Sequence, residues 1–294
     1  MSLTSPASAL PSRVLILGMG WSGRVLAQHL QALGAHVAGT VRDPASAPHD
    51  GLRRHTLRAD ATPSPALLDE IAQAEAVLCS VPPDADGDPA LRLLLPALQA
   101  SPALRWVGYL SSTSVYADRA GGWVDERSTA DATEAAGVQR LRAEAQWRAL
   151  AEDRGIASAV LRLPGLYGPG RNALLQLAQG RARHVVRPGL VFNRLHVDDL
   201  ATVVIASMQR PCVDGLYLPA DDEPAPPQEV LAFAAQLGGF AMPPAVAWDD
   251  PALSPTLRRF YESSKRIDSR GTREALAWAP QFPSYREGLR DLLR

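Results

Sequence analysis

The chain has 294 residues, 46% of them hydrophobic, and its 30 basic and 31 acidic side chains leave a formal net charge of −1. That apolar content fills the core of one large α/β unit, or of a main domain with a smaller companion. A balanced charge with no basic block leaves no electrostatic footprint for nucleic acid or an anionic membrane, so the expected partner is a small-molecule substrate.

The first dozen residues are rich in Ser, Ala and Pro. With no basic start and no long apolar stretch, 1–12 reads as a disordered tail rather than a signal peptide. No later run is long and apolar enough to span a bilayer. The two cysteines, Cys79 and Cys212, suggest neither a disulfide framework nor a zinc site, and a reducing cytoplasmic location is expected.

The run Arg13 to Leu17 breaks into Gly18-Met19-Gly20-Trp21-Ser22-Gly23 and leads into a helical pattern. This Gly-x-Gly-x-x-Gly spacing between strand and helix points to a dinucleotide cradle. Gly18 allows the tight turn, Gly20 lets a pyrophosphate approach the backbone, and Gly23 lets the helix pack on the strand. Free amides at the helix start, around Ser22, attract the anion. Trp21 is expected at the rim of the cradle.

Strand-like runs at 13–18, 36–41, 54–58, 75–81, 105–110 and 157–163 alternate with helical patterns at 21–33, 65–72, 88–100 and 134–153. The alternation implies a parallel sheet, and the continuous hydrophobicity of its strands implies helices on both faces, a doubly wound α/β fold.

In a cradle that prefers NAD, a carboxylate about 20 positions past the first glycine bonds the ribose 2′-hydroxyl. Here the second strand ends in Thr40-Val41-Arg42-Asp43. Without that carboxylate, and with a guanidinium suited to a 2′-phosphate, the sequence favours NADP(H) over NAD(H). The alternative is that Arg42 and Asp43 merely form an exposed turn before Pro44. Asp60 follows the third strand, where it either meets an adenine amino group or caps the next turn. The end of the fourth strand, Ser80, Val81 and Pro82, is expected along the cofactor, as is Leu163 at the end of the sixth. Cys79 reads as a core thiol.

The fifth strand runs out into Ser111-Ser112-Thr113-Ser114-Val115-Tyr116, and hydroxyls at that strand end would hold a carbonyl or hydroxyl substrate. Beyond Leu163 the pattern turns irregular, with helices expected at 172–179, 197–209, 227–237, 269–277 and 284–293. This divides the chain into a cofactor domain, 13–165, and a smaller substrate domain, 166–294, with segments around 190–218 returning to the sheet.

The glycine loop, the run Ser111 to Tyr116, the stretch Leu161 to Arg171, the run His196 to Ala201 and the stretch Leu216 to Pro224 together resemble the extended short-chain dehydrogenase/reductases, in the NAD-dependent epimerase/dehydratase branch. The resemblance covers nearly the whole chain. It implies a Rossmann sheet of order 3-2-1-4-5-6, a C-terminal domain closing over substrate, and a homodimer built on helices 88–100 and 134–153. Family chemistry uses a Ser or Thr to fix the substrate oxygen and a Tyr-x-x-x-Lys pair to move its proton. The hydroxyl maps onto Ser112, with Thr113 beside it.

The pair itself is missing, because Ala136 falls on the tyrosine and Arg140 on the lysine. Arg140 keeps a charge near the cofactor but is no proton shuttle. Tyr116 and Tyr167 are the candidate replacements for the acid. Tyr261-Glu262-Ser263-Ser264-Lys265 matches the missing pattern literally with the only lysine of the chain, but its place in the substrate domain points to a coincidence in a surface helix, or to Lys265 or Arg266 gripping an anionic substrate group. Arg162, Arg171, Asn193, Arg194 and His196 lie in segments that face substrate in the family. Arg162 has an alternative partner in a carboxylate such as Asp198, and His196 an alternative structural role. Two functions follow: an NAD(P)-dependent oxidoreductase, epimerase or dehydratase acting on a small polar compound such as a sugar or nucleotide sugar, or a catalytically silent NAD(P)-binding sensor.

Overall fold

A computed structural model describes residues 7–294. Its strands are β1 (Arg13–Leu17), β2 (His36–Val41), β3 (Arg53–Thr56), β4 (Ala76–Cys79), β5 (Trp106–Ser112), β6 (Trp123–Val124), β7 (Ala157–Leu163), β8 (Gly165–Tyr167), β9 (His184–Val186), β10 (Arg194–His196), β11 (Gly215–Tyr217), β12 (Ala245–Ala247) and β13 (Arg266–Ile267). The helices are α1 (Trp21–Ala32), α2 (Pro65–Gln73), α3 (Pro89–Ala100), α4 (Ala135–Arg154), α5 (Ala173–Ala178), α6 (Val197–Gln209), α7 (Pro227–Gly238), α8 (Pro255–Glu262), α9 (Arg270–Leu276) and α10 (Tyr285–Asp291).

Seven strands form one parallel sheet in the order β11-β7-β5-β4-β1-β2-β3. Its first six strands in sequence run 3-2-1-4-5-6, as expected, and β11 extends the edge beyond β7. Side chains of β1 show why its hydrophobicity is continuous. Val14 and Ile16 enter the core beneath α1 and α6, while Leu15 and Leu17 enter the opposite core beneath α2, α3 and α4. Alternate residues of a strand face opposite ways, so a sheet covered on both faces needs apolar residues at every position.

Local sequence fixes the helix starts. Ser64, Asp88, Asn172, Ser254 and Ser284 each accept a hydrogen bond from an amide in the following turn, which satisfies donors the helix itself cannot. Gly155 ends α4 in the left-handed region at φ 61°, a conformation open to glycine.

Residues from β8 onward build a third core from Tyr167, Leu174, Leu177, Leu231, Tyr285 and Leu289. Between them α6 returns to pack on the sheet beside α1, and β11 pairs with β7. Of the N-terminal segment read as a tail, residues 1–6 lie outside the described residues. The remainder is tied down: the Ser8 amide donates to the Gln209 carbonyl at 2.7 Å, and the Ser12 amide to Glu75 at 2.6 Å.

Candidate active site

The strand ends of β1 to β4 open on a cavity of about 900 Å³, lined by Gly18, Gly20, Ser22, Arg42, Asp60, Ser80, Val81 and Pro82 among others. Its geometry begins at Gly18, whose φ of 85° is left-handed and whose added Cβ would lie 2.9 Å from the Val81 side chain. Both reasons exclude a side chain there. The loop is then pinned from two sides. Thr40 Oγ1 accepts the Gly18 amide at 2.9 Å, and the Ser80 hydroxyl donates to the Gly18 carbonyl at 2.6 Å.

Gly20 is different. A Cβ on it would meet nothing within 4 Å, because it faces the cavity. It is also the N-cap of α1, and no side chain caps that helix. A 12-residue helix with uncapped amides aimed at an open space is suited to an anion. Gly23 lies behind, where a Cβ would sit 3.2 Å from the Gly18 carbonyl oxygen, so the third glycine serves helix packing. The residues present therefore fit an anionic ligand such as a dinucleotide.

Beyond the glycine loop the cavity meets Arg42 and Arg58. Arg42 is exposed and makes no ion pair among the described residues. Asp60 is held by its neighbour, with Arg58 Nε and Nη2 donating to it at 2.9 and 2.8 Å. These bonds hold the Asp60 carboxyl below its usual range, so it stays a carboxylate. Arg58 is a lining residue that sequence reading passed over. It follows the end of β3 much as Arg42 follows the end of β2, and that position was the available signal.

The hydroxyl cluster rests on buried charge. Ser112 ends β5 and its Oγ accepts the Ser114 amide at 3.2 Å, shaping a short 3-10 turn over Thr113–Val115. Beneath it, Glu144 of α4 accepts the Ser111 hydroxyl at 2.5 Å and Arg162 Nε and Nη2 at 3.1 and 2.7 Å. Arg162 Nη1 donates to the Tyr116 hydroxyl at 2.9 Å, and that hydroxyl donates to the Asp125 carbonyl at 3.2 Å. Arg162 thus pairs with Glu144 and not with Asp198. Tyr116 is 2% exposed and burial raises its phenol above the ordinary range, so its hydroxyl belongs to this network rather than to the crevice. Leu163, also buried, ends β7 in the core. Arg140 Nη1 donates to the Leu110 carbonyl at 2.8 Å, and Ala136 is exposed at the start of α4.

Of the remaining predicted residues, Trp21 and Arg171 join α1 to the segment after β8. Trp21 Nε1 donates to the Pro169 carbonyl at 2.8 Å, and Arg171 stacks over the indole at 4.9 Å. Tyr167 is buried edge-on against His196, their ring centroids 5.1 Å apart, with its hydroxyl toward the Ser284 carbonyl. His196 caps α6 by accepting the Asp198 amide at 3.3 Å, and burial lowers its pKa. Capping thus falls to His196, while Asp198 bonds His29 at 2.9 Å and Asp199 accepts the amides of Gln281 and Phe282. Arg194 donates to the Phe192 and Ala225 carbonyls at 3.0 Å each.

Asn193 has a more specific task. Its Nδ2 donates to the Lys265 carbonyl, and its Oδ1 accepts the Ile267 amide, both at 2.8 Å. The clamped residue lies past the end of α8, not in a surface helix, and its ammonium reaches the hydroxyl turn. Lys265 Nζ donates to the Tyr116 carbonyl at 2.7 Å and to the Thr113 carbonyl at 3.5 Å. Burial pushes its pKa down to about 8. The segment after α8 therefore places the Lys265 amine at the turn that follows Ser112.

Known proteins resemble this chain over most of its length. The model of the NAD-dependent epimerase/dehydratase family matches residues 14–215. A 3-diazoavenalumate denitrifying reductase from Streptomyces is 30% identical over 94% of this chain and 99% of its own length. The solved structure of a conserved protein from Silicibacter pomeroyi is 39% identical with a TM-score of 0.84, covering 96% of this chain and 98% of that one. MoeE5, solved with UDP-glucose and NAD, shares the fold at 22% identity and a TM-score of 0.75, over 94% of this chain and 96% of its own.

Proposed function

The chain belongs to the NAD-dependent epimerase/dehydratase family, and on that premise we propose that it is an NAD(P)-dependent oxidoreductase acting on a small polar carbonyl or alcohol compound, with NADPH preferred. The observation that carries the reading is the pairing of an open Gly20 with an uncapped α1, on the sheet edge where β5, two strands away, ends in a hydroxyl turn. The Streptomyces relative's being a reductase supports redox chemistry over epimerisation. MoeE5 was solved with a nucleotide sugar, which makes sugars and nucleotide sugars the first compounds to try.

When bound, the coenzyme supplies or accepts a hydride equivalent. Gly18, Gly20 and Ser22 would hold its diphosphate, Arg42 the 2′-phosphate of NADPH, and Ser80 to Pro82 the wall beside it. Ser112 orients the substrate oxygen. Its Oγ already accepts one amide, which leaves its own proton to donate. The Arg162–Glu144 pair beneath keeps that turn from shifting, since a buried charge pair tolerates little displacement.

The test is coenzyme consumption by the purified chain against a panel of aldehydes, ketones, sugars and nucleotide sugars. Turnover above a Ser112→Ala control supports the reading. A chain that binds NADPH yet turns over nothing in the panel above that control is a coenzyme sensor instead.

A further inference from the structure

Ala136 and Arg140 leave the site without a phenol and without a lysine on α4, so a reacting oxygen has no proton source from that helix. Among the groups near Ser112, Tyr116 is consumed by the Arg162 network, and Arg140 is committed to the Leu110 carbonyl. An arginine would not release its proton in any case. The Lys265 ammonium lies at the turn itself, on the Tyr116 and Thr113 carbonyls.

Resting on the oxidoreductase reading above, we propose that Lys265 Nζ exchanges the proton with the substrate oxygen held by Ser112, delivered from the substrate domain in place of the missing phenol. The hydrogen bonds give the reason. An ammonium carries three N–H donors, and two of them are spent on the carbonyls of Tyr116 and Thr113. Those two acceptors suit both protonation states. In the ammonium the third N–H is left to donate, and in the neutral amine the same direction carries the lone pair. The proton comes and goes without breaking either anchor.

The anchor is itself held firmly. Asn193 grips the backbone on both sides of Arg266, while the Ser264 amide donates to Asp118 at 2.6 Å and the Ser264 carbonyl accepts the amides of Arg119 and Gly121. The charged groups facing Nζ are Asp118 and Asp131, which favour the ammonium, and Arg119, which opposes it. Burial outweighs all three and brings the group to about 8, within reach of neutral pH, where proton exchange is most effective.

In the reducing direction the step balances as follows. Hydride arrives at the carbonyl carbon, the C=O π pair moves to oxygen, and the O–H bond forms as one N–H bond of the Lys265 ammonium breaks. The carbon is reduced at the expense of dihydronicotinamide, and solvent reprotonates the amine.

Because Lys265 is the only lysine among 294 residues, the full chain grown with lysine labelled at Cε gives a single side-chain NMR signal, and its titration is read without assignment. A midpoint near 8 is expected; a midpoint near the ordinary value of about 10.4 overturns the proposal. In the carbonyl-reduction assay, Lys265→Met should lower kcat by about 100- to 10,000-fold and abolish the alkaline limb of the pH profile, with NADPH affinity unchanged. Small primary amines should restore part of the lost rate. Full activity in Lys265→Arg would assign the residue to gripping an anion and overturn proton exchange. Turnover that survives in Lys265→Met with the parent pH profile removes this proposal alone, whereas no turnover in the parent removes the oxidoreductase reading and the proposal with it.

Discussion

Gly18 and Gly20 lie two residues apart in one loop, yet their replacement by alanine should fail in opposite ways. At Gly18 the new Cβ would lie 2.9 Å from Val81 Cγ2 on a backbone at φ 85°. A left-handed non-glycine residue costs about 1–2 kcal/mol, and the contact adds to it, so Gly18→Ala should lower the urea midpoint. At Gly20 the backbone is extended, at φ −80° and ψ −155°, and the Cβ meets nothing within 4 Å. Gly20→Ala should therefore unfold with the parent, within about 0.5 kcal/mol. Its methyl group enters the space proposed for the diphosphate. Loss of one charge-assisted amide bond, about 1.5–3 kcal/mol, corresponds to roughly 10- to 150-fold weaker binding. Fluorescence titration with NADPH, run beside urea unfolding, measures both quantities. Parent-like NADPH affinity in Gly20→Ala, or a stability loss equal to that of Gly18→Ala, would refute the placement of the diphosphate.

Arg42→Ala is expected to erase the preference for NADPH by weakening it about tenfold while leaving NADH affinity unchanged; equal affinities in the parent would defeat the assignment. Glu144→Ala strands the Arg162 guanidinium, whose side chain is only 5% exposed, and should cost about 3–5 kcal/mol by urea unfolding, with Glu144→Leu and Arg162→Met together recovering much of the loss. A double variant no more stable than Glu144→Ala would mean the charges are not coupled. Asp221, only 4% exposed, is pushed up by burial to about 8, above the unfolded value of about 3.9. The folded state then binds more protons between those two values, so stability falls as pH rises through that window. Asp221→Asn should stabilise the chain more at pH 8 than at pH 5, and an equal effect at both would contradict the assigned burial.

The fold was legible because β1, β4, β5 and β7 are buried at nearly every position and because Ser64 and Asp88 mark the starts of α2 and α3. Elements of two or three residues, such as β6, β9 and β13, were not, since so short a segment has no period to read. Helix α8 begins at Ser254-Pro255, a start signal that the proline-rich surroundings concealed. At the site, Gly18, Gly20, Arg42 and Ser80 stand out through local spacing. Glu144, Ser111 and Arg162 do not, because their meeting depends on strands and a helix that approach only in the folded chain. Lys265 is the strongest case, separated from Tyr116 by 149 positions, a distance over which no sequence pattern speaks.

The indole of Trp21 projects from the first turn of α1, directly after the glycine loop, yet fastens to Pro169 and Arg171. Loop and neighbouring segment are therefore buckled together. Whatever ligand stiffens one should quieten the other, and slower amide exchange at residues 168–172 on adding NADPH would register that shared damping.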